Sequence, residues 1–231
     1  MLNLNTDYMW SLIPLFNRAV QMTIRLTAWG VLYAFLIGII GNLVYFYKVP
    51  VATTLIKAYT ELSRNTPIIA QLFFLFFGLP AIGIVISGFT AGVIALSFLG
   101  GSYMIEAIRS GIDAVGKGQK ETAVSLGLSR SQLLWYVIAP QALRTALPSL
   151  SANVIFLLRE SSLVGLIAVP ELMHIANSQI GMFFRTNEVL IMVTLYYLLL
   201  IAPLSVCFTL LERRLRIGQD RKPIFSFKRR A

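Results

Sequence analysis

Three long stretches of this chain carry no charge at all: Leu26 to Phe46, Ala81 to Ile105, and Val189 to Leu211. Each is long enough to cross the ~30 Å hydrocarbon core of a bilayer as a helix, which takes about 20 residues. With 57% hydrophobic and 13% charged residues among 231, the chain has more apolar surface than a soluble core of its size could bury. Lipid offers no partner to exposed backbone groups, so only helices and closed barrels span it. The alternating ten-residue pattern of a barrel strand is missing. The expected fold class is therefore all-α: a polytopic membrane helical bundle of about five transmembrane helices, forming a single transmembrane domain over residues 1–231 with a cytoplasmic loop, residues 111–140, within it.

The remaining spans are less clean. A second is expected from about Ile68 to Leu79, extended backwards through Lys57 and Glu61 as a helix projecting beyond the bilayer, with Pro67 at a kink. The third, Ala81 to Ile105, follows Pro80 and Gly83. It is rich in small residues (Gly88, Gly92, Gly100, Gly101, Ser102), which let helix backbones approach closely in lipid. A fourth runs from about Leu147 to Val169 and contains Pro148, Arg159 and Glu160; the fifth is Val189 to Leu211. Tyr8 to Val20 reads as an amphipathic helix lying flat at the interface. Met1 to Asn17 carries Asp7 and no Lys or Arg, which argues against a removed signal peptide.

Basic residues orient the bundle, because Lys and Arg near spans stay on the cytoplasmic side. With the N-terminus outside, the inner segments hold Lys48, Lys57 and Arg64, then Arg109, Lys117, Lys120, Arg130 and Arg144, then Arg213, Arg214, Arg216, Arg221, Lys222, Lys228, Arg229 and Arg230. The outer segments hold little more than Arg18 and Arg185. The net charge of +10 thus reflects topology and attraction to membrane lipid, with no pattern for nucleic acid. The lone Cys207 excludes a disulfide framework and a cysteine metal cluster.

The segment from Gly111 to Pro140 is long and polar for a connection in a compact bundle. It reads as two short helices. The first carries Lys120, Glu121, Thr122, Ala123 and Leu126 and ends near Gly127, which can adopt a left-handed cap. The second opens with a capping box between Ser129 and Gln132, and Pro140 closes or kinks it. Such a hairpin suits either docking into a groove of another protein or lying on lipid headgroups.

The order Glu121, Thr122, Ala123, then Gly127, then Val137, Ile138, Ala139, Pro140 resembles the EAA loop of binding-protein-dependent ABC importer permeases. That family has alanine where Thr122 stands, isoleucine at Val137 and leucine at Ala139. Glu61-Leu-Ser-Arg64-Asn-Thr66-Pro67 with Gln71 resembles the second-helix motif of the polar amino-acid branch; Ile108-Arg109-Ser110-Gly111-Ile112 with Gly118-Gln119 precedes the EAA loop as it does there, Arg159-Glu160-Ser161-Ser162-Leu163 resembles a stretch where the family has lysine, an acidic residue, threonine or serine, serine and leucine, and Glu212-Arg213-Arg214-Leu215 closes the last helix in the usual way. The resemblance implies a type I permease in a bacterial inner membrane, N-terminus outside and C-terminus cytoplasmic. Its implied partners are a second permease, identical or related, two ATP-binding subunits that hold ATP and Mg, and an external solute-binding protein delivering a polar amino acid. It implies no cofactor in this chain and no enzyme activity of its own. Lys120, Glu121, Thr122, Ala123, Leu126 and Gly127 are then the ATPase-coupling residues.

Ionisable groups inside a span are costly and face a partner or a wet cavity. Glu160 with Ser161 or Ser162 is the candidate lining of the substrate pathway, Arg159 turns to another neighbour because adjacent helical residues do not share a face, and Gln71 and Ser102 can add polar contacts. A structural interhelical pair is the alternative. Gly111 to Lys117 spells G-x-x-x-x-G-K, but Gly118 stands where a phosphate loop needs Ser or Thr and no soluble strand precedes it, so it is not an ATP site. His174, the single histidine, lacks further ligands for a metal and reads as loop structure or a contact for the binding protein. Two rival functions remain: an ion-coupled secondary carrier using Arg159 and Glu160, and a scaffold that recruits a partner without moving solute.

Overall fold

The computed structural model describes residues 4–216; the basic tail from Arg221 to Arg230 lies outside the described residues. Helix α1, Thr6–Tyr47, is 42 residues long, about 63 Å at 1.5 Å per residue and twice the hydrocarbon thickness. The Asn5 side chain caps its start by accepting the Tyr8 N–H, and Lys48 in the left-handed region (φ 55) closes its end. The expected separate interfacial helix over Tyr8 to Val20 does not form. Leu12, Phe16, Ala19, Thr23 and Leu26 continue one buried stripe at helical spacing. The first three of these pack on Leu172, Ala176, Val189 and Met192 rather than on lipid. Pro14 sits inside the helix without ending it.

The second span is broken. Helix α2 (Pro50–Asn65) and the segment beginning with α3 (Ile68–Phe73) are bent by 102°, so the expected continuous projection through Lys57 and Glu61 is replaced by two pieces. Pro67 has no N–H and pushes Thr66 into the extended region (φ −114, ψ 133), which ends α2. The Gln71 amide then fills the gap, with Nε2 donating to the Ser63 and Thr66 carbonyls and to Thr66 Oγ1 at 3.1, 3.1 and 2.8 Å. Beyond α3 the chain widens to a π turn over Phe74–Gly78 and tightens to a 3-10 turn over Leu79–Ile82.

Helix α4, Gly88–Asp113, begins later than expected because Pro80 and left-handed Gly83 (φ 81) first end the preceding turn and Ser87 then caps the new helix. It is the central element, packed against α1 on one side and α7 on the other. The small residues matter where these three meet: a Cβ on Gly100 would stand 2.6 Å from Leu157 Cδ1 and 2.9 Å from Ala34 Cβ. Only glycine permits that approach.

Helix α5 (Lys117–Ser125) is followed by the short α6 (Arg130–Gln132), which runs through a π stretch, Leu133–Ile138, into α7 (Ala139–Glu160). Pro140 does not close the loop helix as expected. In the π stretch the Ala139 N–H reaches back to the Leu134 carbonyl, and this wider turn accommodates the proline. After Glu160 the chain tightens into a 3-10 segment, Ser161–Ile167, then α8 (Leu172–Phe183) and α9 (Thr186–Arg216) complete the described chain. Among the described residues, four helices are long and apolar enough to span a membrane, and five spans result if the bent pair counts as one.

Candidate coupling loop and intramembrane polar site

The hairpin after α4 is built from local signals. Left-handed Gly127 (φ 78) ends α5, with its N–H on the Val124 carbonyl and the Leu128 N–H on Ala123. Ser129 and Gln132 form the expected reciprocal capping box. Inward, the hairpin is anchored by Val115, Leu134, Ile138 and Ala142, joined by Leu43 and Phe46 of α1. Lys120 donates to the Ile112 carbonyl at 3.1 Å, and Ala123 is buried. These two of the six expected coupling residues therefore hold the hairpin to the bundle. Glu121, Thr122, Leu126 and Gly127 are exposed.

Beside them stand three residues that sequence reasoning missed: Val124, Trp135 and Tyr136, exposed by 61%, 58% and 74%. Large apolar groups standing out of a polar loop with no inward partner are the signal that could have found them.

Arg159 and Glu160 lie where α7 gives way to the 3-10 segment. Arg159 is exposed, Glu160 half-buried, and neither has an ion-pair or hydrogen-bond partner among the described residues. The four other expected pathway residues are placed differently from one another. Ser162 is half-buried beside Glu160. Ser161 is fully buried, donating to the Leu158 carbonyl. Ser102 is fully buried between α4 and α2, donating to Leu99 and 3.1 Å from Ser63 Oγ. Gln71 spends its amide N–H groups on the bend, and its Oε1 is buried with no partner among the described residues.

A further polar node joins the ends of several helices. The fully buried Glu171 caps α8, its carboxylate accepting the Met173 and His174 N–H groups at 2.9 and 2.6 Å and the Tyr197 hydroxyl at 3.3 Å. Burial pushes this carboxyl up to about 7 against the three hydrogen bonds that favour its charged form. His174 Nδ1 lies 3.0 Å from the Gly165 carbonyl, a structural use of the ring. No cluster of metal-ligating side chains occurs among the described residues.

Residues 17–217 match the family described as binding-protein-dependent transport system inner membrane component. The chain is 34% identical over 194 residues to the Probable amino-acid ABC transporter permease protein PatM of Vibrio harveyi, covering 83% of this chain and 87% of that one. It is 32% identical over 210 residues to the glutamine transport system permease protein GlnP of Escherichia coli K12, covering 90% and 96%. Among solved structures, an amino acid ABC transporter crystallised with histidines matches with a TM-score of 0.86 at 33% identity, covering 92% of this chain and 100% of that one.

Proposed function

The chain belongs to the binding-protein-dependent transport system inner membrane components, the permeases of ABC importers, and from that premise we propose that it carries a polar amino acid such as glutamine inward, driven by ATPase subunits docked on its α5–α6 hairpin. The observation that carries this reading is the hairpin itself. Val124, Leu126, Trp135 and Tyr136 stand exposed on a capped unit whose other face is anchored in the bundle. Apolar groups displayed that way on a basic, water-facing loop await a protein partner.

The assembly we propose has two such ATPases, which bring ATP and Mg, a second permease that is identical or related, and an external solute-binding protein. The N-terminus faces outside, supported by the weight of Lys and Arg on the hairpin side of the bundle. Arg159, Glu160 and Ser162 face the substrate pathway, since charges left unpaired inside a span require a wet cavity or another chain. Gln71, Ser102 and Ser161 shape that pathway through the backbone groups they bind. Lys120 and Ala123 hold the coupling hairpin while Glu121, Thr122, Leu126 and Gly127 meet the ATPase.

Co-purification in mild detergent from cells that also express the cognate ATPase tests the reading. The wild type should retain the ATPase, and Glu121→Arg and Gly127→Pro should lose it while eluting as folded protein. Wild-type chain that binds no ATPase under conditions preserving the complex would refute the proposal.

A further inference from the structure

The 3-10 segment Ser161–Ile167 carries Ser162 of the proposed pathway, and the polar node at Glu171 holds that segment from behind. The 22 residues of α7 place the segment about 33 Å from the hairpin, on the opposite side of the bundle. Four elements meet there. Glu171 Oε1 takes the His174 N–H and lies so close under Gly165 that no Cβ could be accommodated at that position. Glu171 Oε2 takes the Met173 N–H and the Tyr197 hydroxyl of α9. The Leu172 N–H is on Thr23 Oγ1 of α1 at 3.2 Å. From the 3-10 segment, the Ser162 hydroxyl faces the same Tyr197 oxygen.

Two features exceed what a helix cap requires. Caps are made best by Ser, Thr, Asp or Asn, whose short side chains reach the nearby amides. The longer glutamate here also engages a hydroxyl 26 residues away in another helix. Tyr197, for its part, has one proton and stands between two oxygens, so it donates to one and accepts from the other. Glu171 decides which. An ionised carboxylate only accepts, so Tyr197 donates to it and takes the Ser162 proton on its own oxygen. A protonated carboxyl donates to Tyr197, whose proton then turns to Ser162 Oγ and leaves the Ser162 O–H free.

We propose that Glu171 and Tyr197 are positioning residues of the transport pathway, forming a relay in which a proton on Glu171 releases the Ser162 O–H to donate to a carboxylate or amide oxygen of the amino acid beside Glu160. No covalent bond to carbon changes: one proton is exchanged with water on the face away from the hairpin and returns to it, and two hydroxyl protons rotate. Burial sets the Glu171 titration at about 7, against the hydrogen bonds that favour the charged form. The groups that face it are Thr23 of α1, Gly165 of the 3-10 segment with Ser162 behind Tyr197, Tyr197 of α9 and His174 of α8 itself. None of these is a fixed charge. Arg18 and Arg25 of α1 are exposed, and Arg185 pairs with Glu188 at the start of α9. The inference rests on the reading of the chain as an amino-acid permease with Ser162 in its pathway, and adds what governs that side chain.

The test uses the permease–ATPase complex in proteoliposomes, with ATP in a lumen buffered near neutral pH and the binding protein outside. Initial uptake of labelled L-glutamine is read at outside pH values of about 6 and about 8, on either side of the Glu171 titration. Glu171→Gln keeps an amide N–H aimed at Tyr197 at every pH, and Tyr197→Phe cuts the relay and leaves the Ser162 O–H free. For each variant the uptake ratio to wild type should rise roughly two- to tenfold from the lower pH to the higher, the contribution of one hydrogen bond. Tyr197→Phe separates the relay from stability, because its Glu171 still titrates and its melting point still falls with pH. Should Glu171→Gln fail to assemble, Tyr197→Phe, which loses one hydroxyl, decides alone. A ratio that stays flat in an assembled variant would assign any pH dependence to another group, overturn the relay and leave the transport reading standing. A wild-type complex that imports none of L-glutamine, L-arginine and L-histidine would overturn both.

Discussion

Glu171→Gln should change how stability depends on pH far more than it changes stability itself. The folded carboxyl sits at about 7 against an ordinary value of 4.5. Between those values the folded chain holds a proton that the unfolded chain has lost, so stability falls as pH rises through that window and levels off above it. Integrated from pH 5 to pH 8, the gap amounts to about 2.5 kcal/mol lost by the wild type. Glutamine keeps the acceptor for His174 but turns an NH₂ toward the Met173 N–H, a loss of about 1 kcal/mol. The two proteins should therefore lie within about 1 kcal/mol of each other at pH 5, with the variant ahead by about 2 kcal/mol at pH 8. In a thermal melt in detergent the difference between them should change by about 5–10 °C over that range. Tyr197→Phe, which removes a donor to the charged form, should move the wild-type decline to higher pH. Parallel pH curves for wild type and Glu171→Gln would refute the reasoning.

Gly100→Val should reduce thermal stability by about 1–3 kcal/mol or more through overpacking against Leu157 and Ala34, and adding Leu157→Ala should restore part of the loss in the same melt. Gln71→Ala should leave the Ser63 and Thr66 carbonyls without their side-chain donor and cost about 1–3 kcal/mol, read as a lower melting midpoint; an unchanged midpoint would show that the bend holds without the amide. Leu126→Ser with Trp135→Ser should leave the melt within about 0.5 kcal/mol of wild type, since both side chains are exposed, while ATPase retention on a co-purification column drops.

What the sequence disclosed, it disclosed through local rules or through the thickness of the membrane. The capping box at Ser129 and Gln132 and the left-handed Gly127 could be read because each is settled within a few residues. The uncharged runs placed the spans because crossing lipid demands length and apolarity together. The length of α1 was hidden because the residues that bury Leu12 and Phe16 come from α8 and α9, far along the chain. Pro67 marked a kink, but the 102° bend depends on the Gln71 amide folding back on α2. The burial of Glu171 was invisible for the same reason: its three donors include Tyr197, on another helix. Of the candidate site, Arg159 and Glu160 stood out as charges in an apolar run.

That continuity through Pro140 gives the proposed coupling a mechanical basis. Arg130–Ile167 runs as one helical segment of 38 residues from the capping box to beyond Glu160. A helix transmits displacement along its axis best where its course is continuous, and here Pro140 is absorbed by the π stretch Leu133–Ile138 while Pro148 leaves one gap in the hydrogen-bond ladder of α7 without ending it. In the proposed coupling a partner that moves the hairpin carries Arg159 and Glu160 with it, because α5 also packs against the π stretch at the start of this segment. Rigid connection alone does not amount to a switch, because coupling also requires an element with two arrangements. The tightening into a 3-10 segment at Ser161 and the left-handed Ala168 (φ 61) place a change of helix type directly beside Glu160. The segment stays helical through Pro148 on the hairpin side of that carboxylate and changes type on the other, so the proposed coupling puts the yielding turn beside the carboxylate.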